Sequence, residues 1–206
     1  MTTPSPWLTA PVITGTLVTL RPYEPTDLPH VLEALADPEV ARLTGSVHSD
    51  EEASRPDVDV DHVREWYEGL AARDGRLDLM VVDNATGTWA GEVVLNDWDA
   101  ENETCNFRVL LGPGGRDRGL GTEATRLLLD HAFAHLPLHR ISLGVYAFNP
   151  RAQHVYEKVG FVLEGRERDA LRYGGTRVDQ LLMSVLRPEW RAPRRREPDR
   201  VREWAT

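Results

Sequence analysis

The sequence of 206 residues holds a single cysteine, Cys105. That excludes an intramolecular disulfide framework and a cysteine-cluster zinc site, and it fits a reducing compartment. Long apolar runs are missing too, since no stretch approaches the roughly 18 uncharged apolar residues that a membrane span needs. Residues 1–7 have neither a cationic flank nor an apolar run, so no signal peptide is expected and the reading is a cytoplasmic protein. Positive charge is the minority sign, with 24 Lys+Arg against 33 Asp+Glu and a formal net charge of -9. Binding a phosphate backbone needs an excess of cations, so nucleic acid is not expected as a partner. An acidic balance favours a cationic ligand mildly, or simply keeps the chain soluble.

What is present suffices for a sizeable core. With 41% hydrophobic and 28% charged residues and no linker, the chain reads as one domain over 1–191. Two segments depart from that composition. Positions 46–61 carry Asp50, Glu51, Glu52, Asp57, Asp59 and Asp61 against Arg55, and read as a mobile acidic loop. Positions 192–206 form an Arg/Pro-rich tail, where proline and like charge oppose packing.

Hydrophobic periodicity places a strand over 17–23, a helix from Thr26 or Asp27 to Ala36, and a second helix over 61–73. Three strands follow over 77–82, 88–96 and 104–111, joined by turn-forming residues as in an antiparallel meander. The longest helix runs over 119–135, with Ala124, Leu127, Leu128 and Ala132 as its apolar stripe. Ile141, Leu143 and Val145 alternate as a strand. A strand ending at Leu111, a long helix and another strand imply a βαβ crossover with the two strands parallel. Asn149 and Pro150 start a short helix to Val159, and strands over 161–164 and 178–186 complete the map. The expected fold is α/β of the α+β kind: a mixed, mostly antiparallel sheet of six to seven strands around one βαβ unit.

The most informative stretch is Gly112-Pro-Gly-Gly-Arg-Asp-Arg-Gly-Leu-Gly-Thr-Glu123, between a strand end and a helix start. Glycines let backbone N–H groups approach a ligand, and the unpaired N–H groups of a helix's first turn converge on an anion such as a pyrophosphate. The electrostatic gain at such a terminus is only about 0.3–1 kcal/mol at exposed sites, so Arg116 and Arg118 would have to add charge. A plain glycine-rich connection is the alternative. A Walker loop is excluded, because the segment has no lysine, and Asp117 stands where a dinucleotide fingerprint needs its third glycine.

Arg116-Asp-Arg-Gly119-Leu-Gly121 resembles the Arg/Gln-x-x-Gly-x-Gly/Ala signature of the GCN5-related N-acetyltransferase (GNAT) family. Asn149-Pro-Arg-Ala152-Gln-His-Val-Tyr156-Glu-Lys-Val-Gly160-Phe161 is similar to its second signature, Asn-x-x-Ala-x-x-x-Tyr-x-x-x-Gly-Phe. The continuation Glu164-Gly-Arg-Glu-Arg and the ending Arg187-Pro-Glu-Trp190 resemble the subgroup of ribosomal-protein-alanine and related acetyltransferases, which includes polyamine acetylators. The resemblance implies a sheet with splayed parallel strands and transfer of an acetyl group from acetyl-CoA to a primary amine, with no metal. It implies that the loop backbone of Arg116, Arg118, Gly119, Leu120, Gly121 and Thr122 holds the pyrophosphate. Val109, Leu110 and Leu111 would pair with the pantetheine arm like an added strand, and Asn149, Arg151 and Tyr156 complete the cofactor set. Dimers are frequent in the family, which leaves a homodimer open.

Tyr156 matches the position that protonates the departing thiolate, a task suited to a phenol with pKa near 10 beside a thiol near 8.5. Asn149 reads equally as a helix cap or as a contact to the pantetheine or the acceptor. In several relatives a glutamate lies five residues before the motif asparagine, but that position here is Gly144. Glu92, Asp97 and Glu103 are therefore the substitutes for a general base. An α-amine near pKa 7.8 is about 14% neutral at pH 7, whereas a lysine-like amine near 10.4 must give up about 4.6 kcal/mol. A site without an obvious base suits the α-amine of a peptide or protein N-terminus, ahead of a polyamine or an aminoglycoside. A non-catalytic acyl-CoA-binding module is the remaining alternative. His131 and His135 lie one helical turn apart but lack the glutamate of a zinc-protease helix.

Overall fold

A computed structural model describes residues 5–191; the Arg/Pro-rich tail expected over 192–206 lies outside the described residues. The strands are β1 (Ile13–Thr14), β2 (Val18–Arg21), β3 (Leu77–Asp83), β4 (Trp89–Asp99), β5 (Thr104–Leu111), β6 (Arg140–Tyr146), β7 (Val162–Tyr173) and β8 (Thr176–Leu186). They form one sheet of 8 strands in the order β1-β2-β3-β4-β5-β6-β8-β7, one or two more strands than the sequence suggests. β1 escapes a pattern search because it has only two residues. β7 is longer than expected because an edge strand exposed along most of its length shows no hydrophobic alternation.

Among the described residues only β5 and β6 pair in parallel, as the crossover argument requires, and they pair from Thr104–Arg140 to Asn106–Ser142. Beyond Asn106 they part, leaving the β5 edge toward Leu111 without a strand partner on the β6 side. Strand alternation then sorts the side chains onto two faces. Leu79, Val93, Leu95, Phe107, Leu143 and Val145 point to the face covered by α5 (Leu120–His135) and α6 (Pro150–Val159). Met80 and Trp89 belong to a second cluster with Val31 of α1 (Leu28–Leu35) and Tyr67 of α4 (Val60–Glu68) on the opposite face.

α5 buries a broader face than the expected stripe, with Leu129 and Phe133 joining Ala124, Leu128 and Ala132. Its buried Thr125 hydroxyl donates to the Gly121 carbonyl at 2.7 Å, so this hydroxyl is not stranded in the core. Glu123 turns back to the N-terminal edge, where its carboxylate accepts the backbone N–H groups of Thr16, Leu17 and Val18 at 3.1, 2.5 and 2.9 Å.

Two short helices, α2 (Pro38–Thr44) and α3 (Asp50–Ala53), occupy sequence that reads as loop. α2 is capped by the Asp37 carboxylate, which accepts from Glu39 N at 2.7 Å, and it ends at Gly45 with φ 70. α3 corrects the mobile acidic loop. Ser49 caps it, and the segment is tied to the β7–β8 hairpin by Tyr173 Oη donating to Asp50 at 2.6 Å and Gly174 N donating to the His48 carbonyl at 2.8 Å. The last helix is α7 (Arg187–Arg191). Among the described residues, no helix is long and apolar enough to cross a membrane.

Candidate active site

The parting of β5 and β6 opens a cleft of about 830 Å³ that runs through the sheet. On the α5/α6 side its wall includes Gly119, Gly121, Thr122, Asn149 and Tyr156; on the other it includes Glu92, Arg108, Tyr146 and Gln180. Val109, Leu110 and Leu111 line it along the free β5 edge, as expected for a strand that pairs with an extended ligand.

Gly119 is the N-cap of α5 at φ 79, a left-handed conformation that favours glycine and supplies no capping side chain. The first-turn N–H groups of Leu120, Gly121 and Thr122 therefore keep the donor capacity that a serine or aspartate cap would have consumed. Gly121 lies against β5, where an added Cβ would come 2.8 Å from Leu111 Cδ1 and would require the Leu111 side chain to shift. The arrangement suits a pyrophosphate: main-chain donors, no competing side chain, and a helix N-terminus behind them.

The arginines behave differently from the expectation that they add charge to that cradle. Arg116 is held by Asp37 at 2.8 Å and by Glu39. Arg118 lies outside the cleft wall, bound to Asp83 at 2.6 Å and to the Gly114 carbonyl at 3.2 Å. Leu120 buries its side chain in the core and presents its backbone at the helix start, the part that the expectation assigned to the ligand. Arg151 pairs with Asp117 at 3.1 Å and Glu39 at 3.5 Å, linking α6 to the loop.

Tyr156 packs its ring against Phe107 at 6.2 Å in an edge-on contact and against Phe161 at 5.8 Å. Its hydroxyl has no hydrogen-bond partner among the described residues, and burial pushes its pKa well above the ordinary phenol value, so it stays a proton donor. Asn149 is the N-cap of α6: its side-chain oxygen accepts from Ala152 N at 3.1 Å, which leaves its amide NH₂ for the cleft.

Among the described residues the carboxylates in the cleft wall are Glu92 and Asp117, and Asp117 is paired with Arg151 on the loop. Glu92 sits in the wall opposite Leu110, where Tyr67 Oη donates to its Oε2 at 2.7 Å. Burial raises its pKa, and the Tyr67 hydrogen bond works against that rise; Asp78 raises it further, while Arg108 and Arg76 lower it. Glu103 is a correction. It occupies the turn before β5 at φ 53, with its carbonyl accepting from His139 N and Arg140 N, at the opposite end of the strand from the loop. Asp97, exposed at φ 55 and also outside the cleft wall, fails for the same reason.

The sequence reading missed Tyr67 and Gln180. Tyr67 lies in the Val63, Trp66, Tyr67, Leu70 spacing of an amphipathic helix and so reads as core, and Gln180 is one polar residue in an alternating strand. His131 and His135 stack with centroids 4.8 Å apart on α5, and neither lines the cleft.

Comparison with known proteins gives a consistent picture. The family model described as Acetyltransferase (GNAT) domain matches residues 18–162. The putative ribosomal N-acetyltransferase YdaF of Bacillus subtilis is 26% identical over 174 residues, spanning 84% of this chain and 93% of that protein. A spermidine N(1)-acetyltransferase of Vibrio cholerae is 30% identical over 110 residues, 53% of this chain and 64% of that protein. Among solved structures, spermidine N-acetyltransferase from Vibrio cholerae in complex with CoA and spermine shares the fold, with TM-score 0.73 and 24% identity over 85% of this chain and 99% of that one.

Proposed function

The chain belongs to the GNAT acetyltransferase family and is an acetyl-CoA-dependent N-acetyltransferase; from that premise we propose that it acetylates a primary amine of a polyamine-like, multiply cationic acceptor. The observation that carries the reading is Glu92, a carboxylate held in the cleft wall with its affinity for a proton raised. The preference for an α-amine rested on the absence of a base, and Glu92 removes that ground. The spermidine-acetylating relatives and the net charge of -9 point the same way.

Acetyl-CoA supplies the acetyl group as a thioester. The α5 N-terminus from Gly119 to Thr122 holds its pyrophosphate through main-chain donors, and the free β5 edge at Val109, Leu110 and Leu111 aligns its extended arm. Glu92 takes the proton from the amine nitrogen, directly or through one water, as that nitrogen bonds to the acetyl carbon. Tyr156 gives a proton, or a hydrogen bond, to the sulfur as the carbon–sulfur bond breaks. Asn149 positions the arm beside the α6 start, with Arg151 fixing the loop.

A second reading, acetylation of a peptide or protein N-terminus, is favoured by the match to YdaF over nearly the whole of that relative. Free-thiol release from acetyl-CoA decides between them. Spermidine is expected to be turned over faster than peptides beginning with Ala or Ser, and the reverse order would establish the second reading.

A further inference from the structure

Asn106, Gly144 and Gln180 line both the cleft and a neighbouring cavity of about 390 Å³ on the sheet face away from α5 and α6. These residues mark the constriction between the two spaces. Gly144 on β6 pairs with Leu182 of β8, and Gln180 pairs with Tyr146, so Gln180 and Gly144 are diagonal neighbours on one face. An added Cβ on Gly144 would lie 2.1 Å from Gln180 Nε2 and 2.8 Å from its Cδ. The carboxamide thus lies across position 144 in the space a side chain there would take. It offers two N–H donors and a carbonyl acceptor, and none of them is paired with a described residue.

We propose that Gln180 orients the acceptor nitrogen at this constriction, and that position 144 is glycine because the carboxamide must lie over it. The inference rests on the amine-acetyltransferase reading above. An amide does not titrate in the working pH range, so Gln180 can accept an N–H from the amine without removing its proton. The proton is left to Glu92, which borders the same cleft. Gln180 is therefore an acceptor-positioning residue, and its loss is read in the amine KM and not in the pH profile.

The test uses the full chain with spermidine and an N-terminal serine peptide as amines, and compares Gln180→Ala, Gly144→Ala and the double variant. Gln180→Ala is expected to raise the KM of the preferred amine about tenfold, equal to about 1.4 kcal/mol, with acetyl-CoA Kd within about twofold and the acidic limb of kcat/KM unmoved. Gly144→Ala, whose methyl displaces the carboxamide, should give the same rise, and the double variant should be no worse than either single. An unchanged KM in Gln180→Ala overturns the inference and leaves the acetyltransferase reading intact, as do single effects that multiply in the double variant. A wild-type chain that binds CoA yet releases no thiol with any amine overturns both. Thermal melting of each variant separates lost positioning from lost folding.

Discussion

The two sides of the cleft are built from different materials. The α5 side is mostly main chain, with glycines, a helix start and a strand edge from one continuous stretch of sequence, to which α6 adds the side chains of Asn149 and Tyr156. The opposite side is made of side chains, Glu92 from β4 and Gln180 from β8, with Tyr67 from α4 holding Glu92 from outside the wall, all brought together from positions far apart in the chain. Backbone recognition tolerates change at most side chains but not in backbone shape. Side-chain recognition behaves the other way round, and each residue there answers separately to substitution.

The largest effect should come from the side-chain wall. Glu92→Gln is expected to lower kcat/KM for the amine about 10²–10⁴-fold, the usual range for a positioned general base, with acetyl-CoA affinity unchanged. Because the folded-state pKa of Glu92 is raised, its ionised form costs stability. That cost is absent below the unfolded-state pKa near 4.3 and grows as pH rises through the folded value. Glu92→Gln should accordingly melt higher than wild type at pH 7 and lose that advantage near pH 4.

Next in size, Gly119→Val attacks the main-chain half. A β-branched residue at φ 79 is strained by about 1–3 kcal/mol, so calorimetric titration should show acetyl-CoA binding weakened roughly tenfold or more. Equal affinity for both proteins would mean that the helix start does not hold the ligand. Tyr67→Phe removes the hydrogen bond that restrains the rise in the Glu92 pKa. The acidic limb of the kcat/KM profile should move to higher pH, with several-fold less activity on that limb and little change on the plateau above it; a shift to lower pH would remove Glu92 as the titrating group. The smallest effect belongs to Arg118→Ala. Its guanidinium is engaged by Asp83 away from the cleft, so acetyl-CoA Kd should stay within about threefold.

The same contrast governs what could be read in advance. The β5 and α6 boundaries and the start of β4 were legible because alternation, turn residues and the Asn149–Pro150 start act locally, whereas β4 runs three residues past the expected end to Asp99; Gly119 reports a left-handed backbone that favours glycine. α2 was not recovered, although Asp37, Pro38 and Gly45 mark both its ends, because seven residues are too few for a periodic signal. α3 is shorter still, and it is shaped by the Ser49 cap and by Tyr173 reaching Asp50 from a hairpin more than a hundred residues later. Glu92 was one of three acids named on or beside the right strands; only the register of β4 against β5 separates it from Glu103 at the far turn. Tyr67 and Gln180 carried no local signal, since their partners are set by tertiary packing alone.

The brief parallel contact between Thr104–Asn106 and Arg140–Ser142 joins two antiparallel halves of the sheet, β1 to β5 and β6 to β7. Each half has its own antiparallel hydrogen bonding, but a single apolar core under α5 and α6 spans both, so the gap between Leu110 and Tyr146 is held by packing that the two halves share. The closed end of the cleft is therefore defined by this contact, where Asn106 belongs both to the parallel pairing and to the cleft wall.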